Sequence, residues 1–312
     1  MTDLLFSANI VLPIFLLILL GAFLGRIGLL TPAFRKTASK LVFNVSLPVS
    51  LFQSVAATDL AAGFSGRFVL YALGSTLVVF GFAWICARLL LRDRAAIGAA
   101  VHGSFRGNFA YIGLAVARSM LGSGELTACV MVIAFVVPLY NILGTLILSI
   151  YSSGKKATVG SVLLGIIKNP LIIGIVLALP FSFFRWELPA AIDTSFDYIA
   201  QLATPLALLL IGANLRADTL RKNPGAILLS ANIKILLAPL LGTLGAMAFG
   251  FEGEELVTIF IMHGVPSAAN TYIMTQNMGG DAESAAGIVM LTTLGSILTL
   301  TGGIFLLRHF VL

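Results

Sequence analysis

Long apolar stretches separated by short polar ones fill the 312-residue chain. Ten of them run approximately over 8–29, 37–57, 67–91, 95–119, 125–150, 158–180, 190–214, 224–250, 255–277 and 283–307. Each comes near or exceeds the roughly 20 apolar residues that a helix needs to cross hydrocarbon. They are too long and too uniformly apolar for barrel strands, and backbone in lipid must close its own hydrogen bonds, as helices do. The pattern predicts an all-α polytopic membrane protein of ten transmembrane helices. The first stretch is too long, and too poor in cations at its start, for a removable leader, and is read as a true helix.

The pattern fails in two informative places. The fourth stretch holds "AVHGSFRGNFAYIGLAV", Ala100 to Val116, in which His102, Arg106, Asn108 and three glycines interrupt an apolar helix. The ninth reads "MHGVPSAANTYIM", Met262 to Met274. His-Gly, Asn and Tyr-Ile recur between the two at offsets of 161 or 162 residues, and Pro48 and Pro205 pair the second and seventh stretches 157 apart. With the polar linker Ser152 to Gly160 as the divide, the chain becomes two five-helix repeats, 1–152 and 153–312. An odd number of crossings per repeat makes the second inverted. Matched helix-breaking residues in inverted repeats are the best sequence pointer to a transporter's binding site. Gly103, Gly107, Gly264 and Pro266 are the residues that allow the fourth and ninth helices to break.

Charge sets the orientation. With the N-terminus outside, cytoplasmic loops carry twelve Lys and Arg, among them Arg26, Arg35, Lys36 and Lys40, against four outside. That is a positive-inside bias. The net charge of +6 thus reads as topology, with no sign of nucleic acid binding, and both termini come out periplasmic or extracellular. Charged residues make up 10% of the chain and hydrophobic ones 59%, which leaves no stretch for a soluble domain. Cys86 and Cys129 fall inside helices and read as packing residues. All thirteen acidic residues fall in loops or at helix ends. Cation exchange through buried carboxylates is therefore not expected, and the cargo suggested is an anion. A co-transported sodium ion would rely on carbonyls and amides, and a proton on histidine or on the substrate itself.

Several motifs resemble the auxin efflux carrier family in its bacterial form. They are "FNVSLPVSLF", "GNFAYIGLAVA", "VPLYNILGTLIL", "IIKNPLIIGIVLALP", "TPLALLLIGANL" and "GVPSAANTYIMTQNMGGD", in that order along essentially the whole chain. The resemblance implies a fold of the sodium/proton antiporter or bile-acid symporter plan, with broken crossing helices 4 and 9. It implies a scaffold of helices 1, 2, 6 and 7, a moving part of helices 3–5 and 8–10, elevator-like movement and a homodimer in the bacterial inner membrane. One departure stands out. Members similar to the plant exporters carry proline at both crossings, whereas this chain has Gly107 beside Arg106 in the fourth helix.

The candidate substrate-binding residues are Arg106, Gly107, Asn108, Pro266, Ser267 and Asn270 at the two breaks, with Asn44, Pro48, Gln201 and Pro205 facing them from the second and seventh helices. An intramembrane arginine costs at least about 2.5 kcal/mol. Arg106 therefore either holds an anionic substrate through its planar fork, or caps freed carbonyls, or snorkels to water. Asn108 and Asn270 either meet the substrate or satisfy freed backbone. His102, His263 and Lys234 are candidates for coupling, or are simply hydrogen-bonded. No cofactor or metal is expected, and the coupling ion, if any, is H+ or Na+. The expected partners are a small organic anion, membrane lipid and a second copy of the chain.

Other classes fit less well. "GFSG", Gly63 to Gly66, resembles an intramembrane serine protease motif but lies in an external loop, and no HExxH occurs. The last helix lacks the mid-span lysine of a light-driven pump. The expected function is a secondary carrier of a small carboxylate. A sodium-coupled symporter similar to bile-acid carriers, or a channel-like uniporter on the same fold, is the alternative.

Overall fold

A computed structural model of the protein describes residues 13, 16–57, 65–121, 126–151, 160, 164, 167–214 and 223–310. Among the described residues every regular element is a helix. Among the described residues five helices are long and apolar enough to cross a membrane: Gly66–Leu90, Val132–Tyr151, Ala190–Ala213, Pro224–Ala248 and Ala282–Leu307. Leu16–Arg26 and Pro170–Phe184 are shorter and also apolar. The protein is thus a helical, multi-pass membrane protein. Linker residues 152–159 and the GFSG residues 63 and 64 lie outside the described residues.

Local chemistry fixes where helices begin. We label Leu16–Arg26 α1, Pro32–Leu41 α2 and Leu47–Ala56 α3. The apolar pattern alone puts the start of the second stretch at 37, because Arg35 and Lys36 read as loop. It starts at Pro32 instead, since the Thr31 hydroxyl accepts the Phe34 N–H and proline suits the first helical position. Ser65 caps α4 (Gly66–Leu90) and Asp93 caps α5 (Arg94–Phe105) in the same manner. After α6 (Leu114–Leu121), α7 (Thr127–Met131) and α8 (Val137–Tyr151) comes α9 (Pro170–Phe184), which the Asn169 side chain caps.

Three wide π-turns, Val42–Ser46, Val132–Val136 and Ile233–Leu237, each end two residues before a proline: Pro48, Pro138 and Pro239. A proline ring in a regular helix collides with the carbonyl four residues earlier and leaves it without a donor. The extra residue of a π-turn widens the ladder at that place. The sequence signal was the proline itself, which appears as a bulge within a continuous helix.

The remaining helices are α10 (Ala190–Gln201), α11 (Ala203–Asn214), α12 (Pro224–Asn232), α13 (Ala238–Ala248), α14 (Gly253–Gly264), α15 (Ala269–Asn277) and α16 (Ala282–Phe310). Close packing of α1 on α11 depends on Gly212, where a Cβ would lie 1.9 Å from the Ile18 carbonyl oxygen. Small residues that let backbones touch are the usual contact between helices in lipid. On the other side, α3 packs against α9 and α10. The centre of the molecule is formed by α5 and α14, whose residues Ala96–Phe105 and Leu256–Gly264 are all buried.

Candidate functional site

Both central helices stop in the middle of the protein. Arg106 leaves α5 with φ −80° and ψ 102°, and Val265 leaves α14 with φ −63° and ψ 149°. The two extended pieces lie antiparallel, with Gly107 paired to Ser267. The Asn108 N–H donates to the Pro266 carbonyl at 2.9 Å, and the Ala268 N–H to the Arg106 carbonyl at 3.3 Å. Each break therefore satisfies backbone groups that the other exposes, which is what lets irregular backbone exist away from water. Helical bonding resumes at once, as the Asn108 carbonyl accepts the N–H groups of Ile112 and Gly113.

Gly107 is the point of closest approach. A Cβ there would sit 2.8 Å from Val265 Cγ2, 2.9 Å from the Met262 carbonyl oxygen and 3.1 Å from Lys234 Nζ. The missing side chain of Gly107 is thus what lets the second break come near.

Side chains complete the capping. Ser267 donates its hydroxyl to the Gly103 carbonyl at 2.6 Å, and its N–H donates to Thr292 Oγ1 at 3.1 Å. Lys234 is fully buried in the π-turn before α13, and its ammonium reaches the His263 carbonyl at 2.8 Å and the Met262 carbonyl at 3.5 Å. Those are last-turn carbonyls of α14, where a cation is favoured by the helix dipole. Arg106 donates from Nη2 to Asn141 Oδ1 at 2.8 Å and from Nη1 to Met274 Sδ at 3.0 Å, with His102 Nε2 at 3.5 Å. Asn141 is held in turn by its own bond to the Val137 carbonyl. The imidazole of His263 meets the Ser75 hydroxyl at 3.0 Å, and that of His102 meets Thr275 at 3.5 Å.

A cavity of about 40 Å³ opens beside the crossing, lined by Arg106, Gly107, Asn108, Asn270 and Tyr140 on one side and Leu47, Ser50 and Leu51 of α3 on the other. It has room for a few waters and lies far below the roughly 300 Å³ at which ligand pockets begin. The Tyr140 side chain is buried beside it. Helix α15 has its first turn near this cavity and its last near a pocket of about 550 Å³ lined by Arg26, Arg35, Tyr272, Gln276 and Glu283. There Ser39 of α2 donates to Gln276 Oε1 at 2.6 Å and accepts from Asn277 Nδ2 at 2.9 Å.

The structure brings together Arg106, Gly107, Asn108, Pro266, Ser267 and Asn270, with Lys234, His102 and His263 around them. It does not bring in the other four candidates. Asn44 is exposed and bonds to the Lys40 carbonyl of its own helix. Gln201 and Pro205 are exposed, and Pro48 lies against Gly174 of α9 rather than on the cavity. Its neighbours Leu47, Ser50 and Leu51 take that place. Asn141 shows in the sequence only as a polar residue of unknown facing, and nothing there marks Tyr140 or Met274 as neighbours of Arg106.

Residues 6–304 match the family described as membrane transport protein. A protein of Rhizobium meliloti (strain 1021) named "Putative malonate transporter" is 26% identical over 96% of this chain and 95% of its own length. An uncharacterized transporter of Escherichia coli (strain K12) is 27% identical over 92% of this chain and 93% of its own. Another, from Methanocaldococcus jannaschii, is 23% identical over 94% and 96%. These names describe transporters and not enzymes, and the chain belongs to the membrane transport protein family, the auxin efflux carrier-like group.

Proposed function

We propose that the protein is a secondary carrier that moves a small organic carboxylate by alternating access, with the crossing of the two breaks as its binding site. One observation carries this reading. Arg106 and Lys234 are buried cations at the crossing, and no Asp or Glu is buried among the described residues. An uncompensated positive site inside a membrane favours an anionic guest. A guanidinium fork suits a carboxylate, and the malonate in the name of the Rhizobium meliloti relative is a compact dicarboxylate.

Movement follows from size. A cavity of about 40 Å³ cannot enclose a dicarboxylate, so Leu47, Ser50 and Leu51 must separate from Asn108 and Asn270 for substrate to reach Arg106. In our reading the chain is a ten-helix, inverted-repeat protein of residues 1–152 and 153–312. Helices 3–5 and 8–10 slide against a scaffold of helices 1, 2, 6 and 7 that also forms a homodimer. It sits in the bacterial inner membrane with both termini outside. Coupling to H+ or Na+ passes through the groups around the crossing, His102 and His263 among them.

The test is uptake of malonate and other small mono- and dicarboxylates into proteoliposomes, with and without sodium and proton gradients. Saturable uptake of a carboxylate that Arg106→Ala abolishes is the expected result. Unchanged uptake of every anion by Arg106→Ala would remove the crossing from the pathway.

A further inference from the structure

Half-helix C-termini in broken-helix carriers attract coupling cations, because unwound carbonyls and the negative end of the helix dipole meet there. This protein has two such ends at the crossing, and side chains of the chain itself occupy both. At the end of α5 the Gly103 carbonyl is taken by the Ser267 hydroxyl at 2.6 Å, and the His102 carbonyl by the Arg106 N–H at 3.4 Å. At the end of α14 the Ile261 carbonyl accepts the Val265 N–H, while Met262 and His263 turn their carbonyls to Lys234 Nζ. That lysine is wholly buried, lies 29 residues from His263 on a different helix, and bonds through its ammonium to these two carbonyl oxygens. Its π-turn sets the direction. Ile233–Leu237 is the wide turn before Pro239, and it carries the lysine stem across to the α14 terminus. Gly107 leaves the ammonium its space, since a Cβ there would lie 3.1 Å from it.

We propose that Lys234 is a tethered cation that takes the place of a coupling sodium ion at the second helix break, so that the carrier works without sodium. This rests on the crossing being the transport site, and it narrows the coupling options there. A covalently held ammonium cannot diffuse away as a bound sodium ion does, so the group that occupies the two carbonyls stays with the crossing throughout the cycle. Sodium, a hard cation that needs several oxygens, finds two carbonyls already engaged and no buried carboxylate among the described residues.

The deciding measurement is thermal unfolding of the purified full-length protein in sodium chloride against choline chloride at equal ionic strength, which needs no substrate. The wild-type Tm is expected to be the same in both. Lys234→Ala exposes the Met262 and His263 carbonyls, so its lowered Tm is expected to rise by about 2–4 °C with sodium or methylammonium. Lys234→Met, which refills the volume without charge, gains less. A wild-type Tm that rises with sodium overturns the proposal, as does a Lys234→Ala protein indifferent to both cations. If Lys234→Ala yields no folded protein, Lys234→Gln carries the same comparison. Should no carboxylate be transported while this melting pattern holds, the assigned cargo fails and the tethered cation stands. Should uptake occur only with a sodium gradient, the cargo stands and the tethered cation fails.

Discussion

Replacing Gly107 with alanine adds one methyl group at the tightest point of the crossing. The new Cβ would lie 2.9 Å from the Met262 carbonyl oxygen, 0.5 Å short of the 3.4 Å at which ordinary contact begins. The other neighbours, Val265 Cγ2 at 2.8 Å and Lys234 Nζ at 3.1 Å, block a sideways escape. The two backbone pieces must therefore separate by about half an ångström, which would stretch the 2.9 Å bond from Asn108 to Pro266 beyond the usual limit of roughly 3.2 Å. Overpacking of this kind costs about 1–3 kcal/mol, enough to lower Tm by several degrees. Gly81→Ala is the matched control, because a Cβ there meets nothing within 4 Å and alanine gains helix propensity of about 0.5–1 kcal/mol. Thermal unfolding and carboxylate uptake of both variants form the assay. A Gly107→Ala protein as stable and active as Gly81→Ala would refute the close-approach argument.

Further outcomes follow from the same geometry. Ser267→Ala leaves the Gly103 carbonyl unmet, a loss of about 1–3 kcal/mol visible as a lower Tm, whereas Ser267→Thr retains the hydroxyl and should lose less. Asn141→Leu removes the acceptor that aims Arg106 Nη2; KM for the carboxylate should rise more than Vmax falls, and an unchanged KM would show that Arg106 orients itself. A cysteine pair at Ser39 and Gln276, whose native side-chain tips meet at 2.6 Å, made with Cys86 and Cys129 replaced and bridged by a short reducible bis-methanethiosulfonate linker, should arrest uptake when linked and release it on reduction if α15 moves relative to α2. Continued uptake by the cross-linked protein would refute that movement. Gly212→Leu forces α1 from α11, where a Cβ already falls 1.9 Å from a carbonyl, and should abolish accumulation of folded protein in the membrane.

Some of this was open to reading from the sequence. The interruption at Arg106 and Gly107 could be seen because charge and glycine are rare inside apolar stretches, and the second break could be seen because its His-Gly, Asn and Tyr-Ile repeat the first. Facing could not be read. In lipid the outer face of a helix is as apolar as its core, so a 3.6-residue rhythm separates little. Asn44 and Gln201, candidates for their polarity, and Pro205, a candidate for its pairing with Pro48, lie exposed, while Leu47 and Leu51, apolar and unmarked in the sequence, line the cavity. The bulge before Pro138 is hidden in the sequence for a related reason. A proline marks a disturbed ladder, but whether it becomes a kink, a break or a wide turn depends on neighbouring helices.

The antiparallel pairing of Gly107 with Ser267 also bears on how the chain is made. The 160 residues that separate them take about 8–32 s to synthesise at roughly 5–20 residues per second. Throughout that interval the Asn108 N–H and the Arg106 carbonyl lack the partners they have in the finished protein. The first half of the nascent chain must hold these groups in water or against the insertion machinery until α15 emerges. A chain that stops before residue 266 therefore lacks both of the cross-break partners that the finished protein gives Asn108 and Arg106.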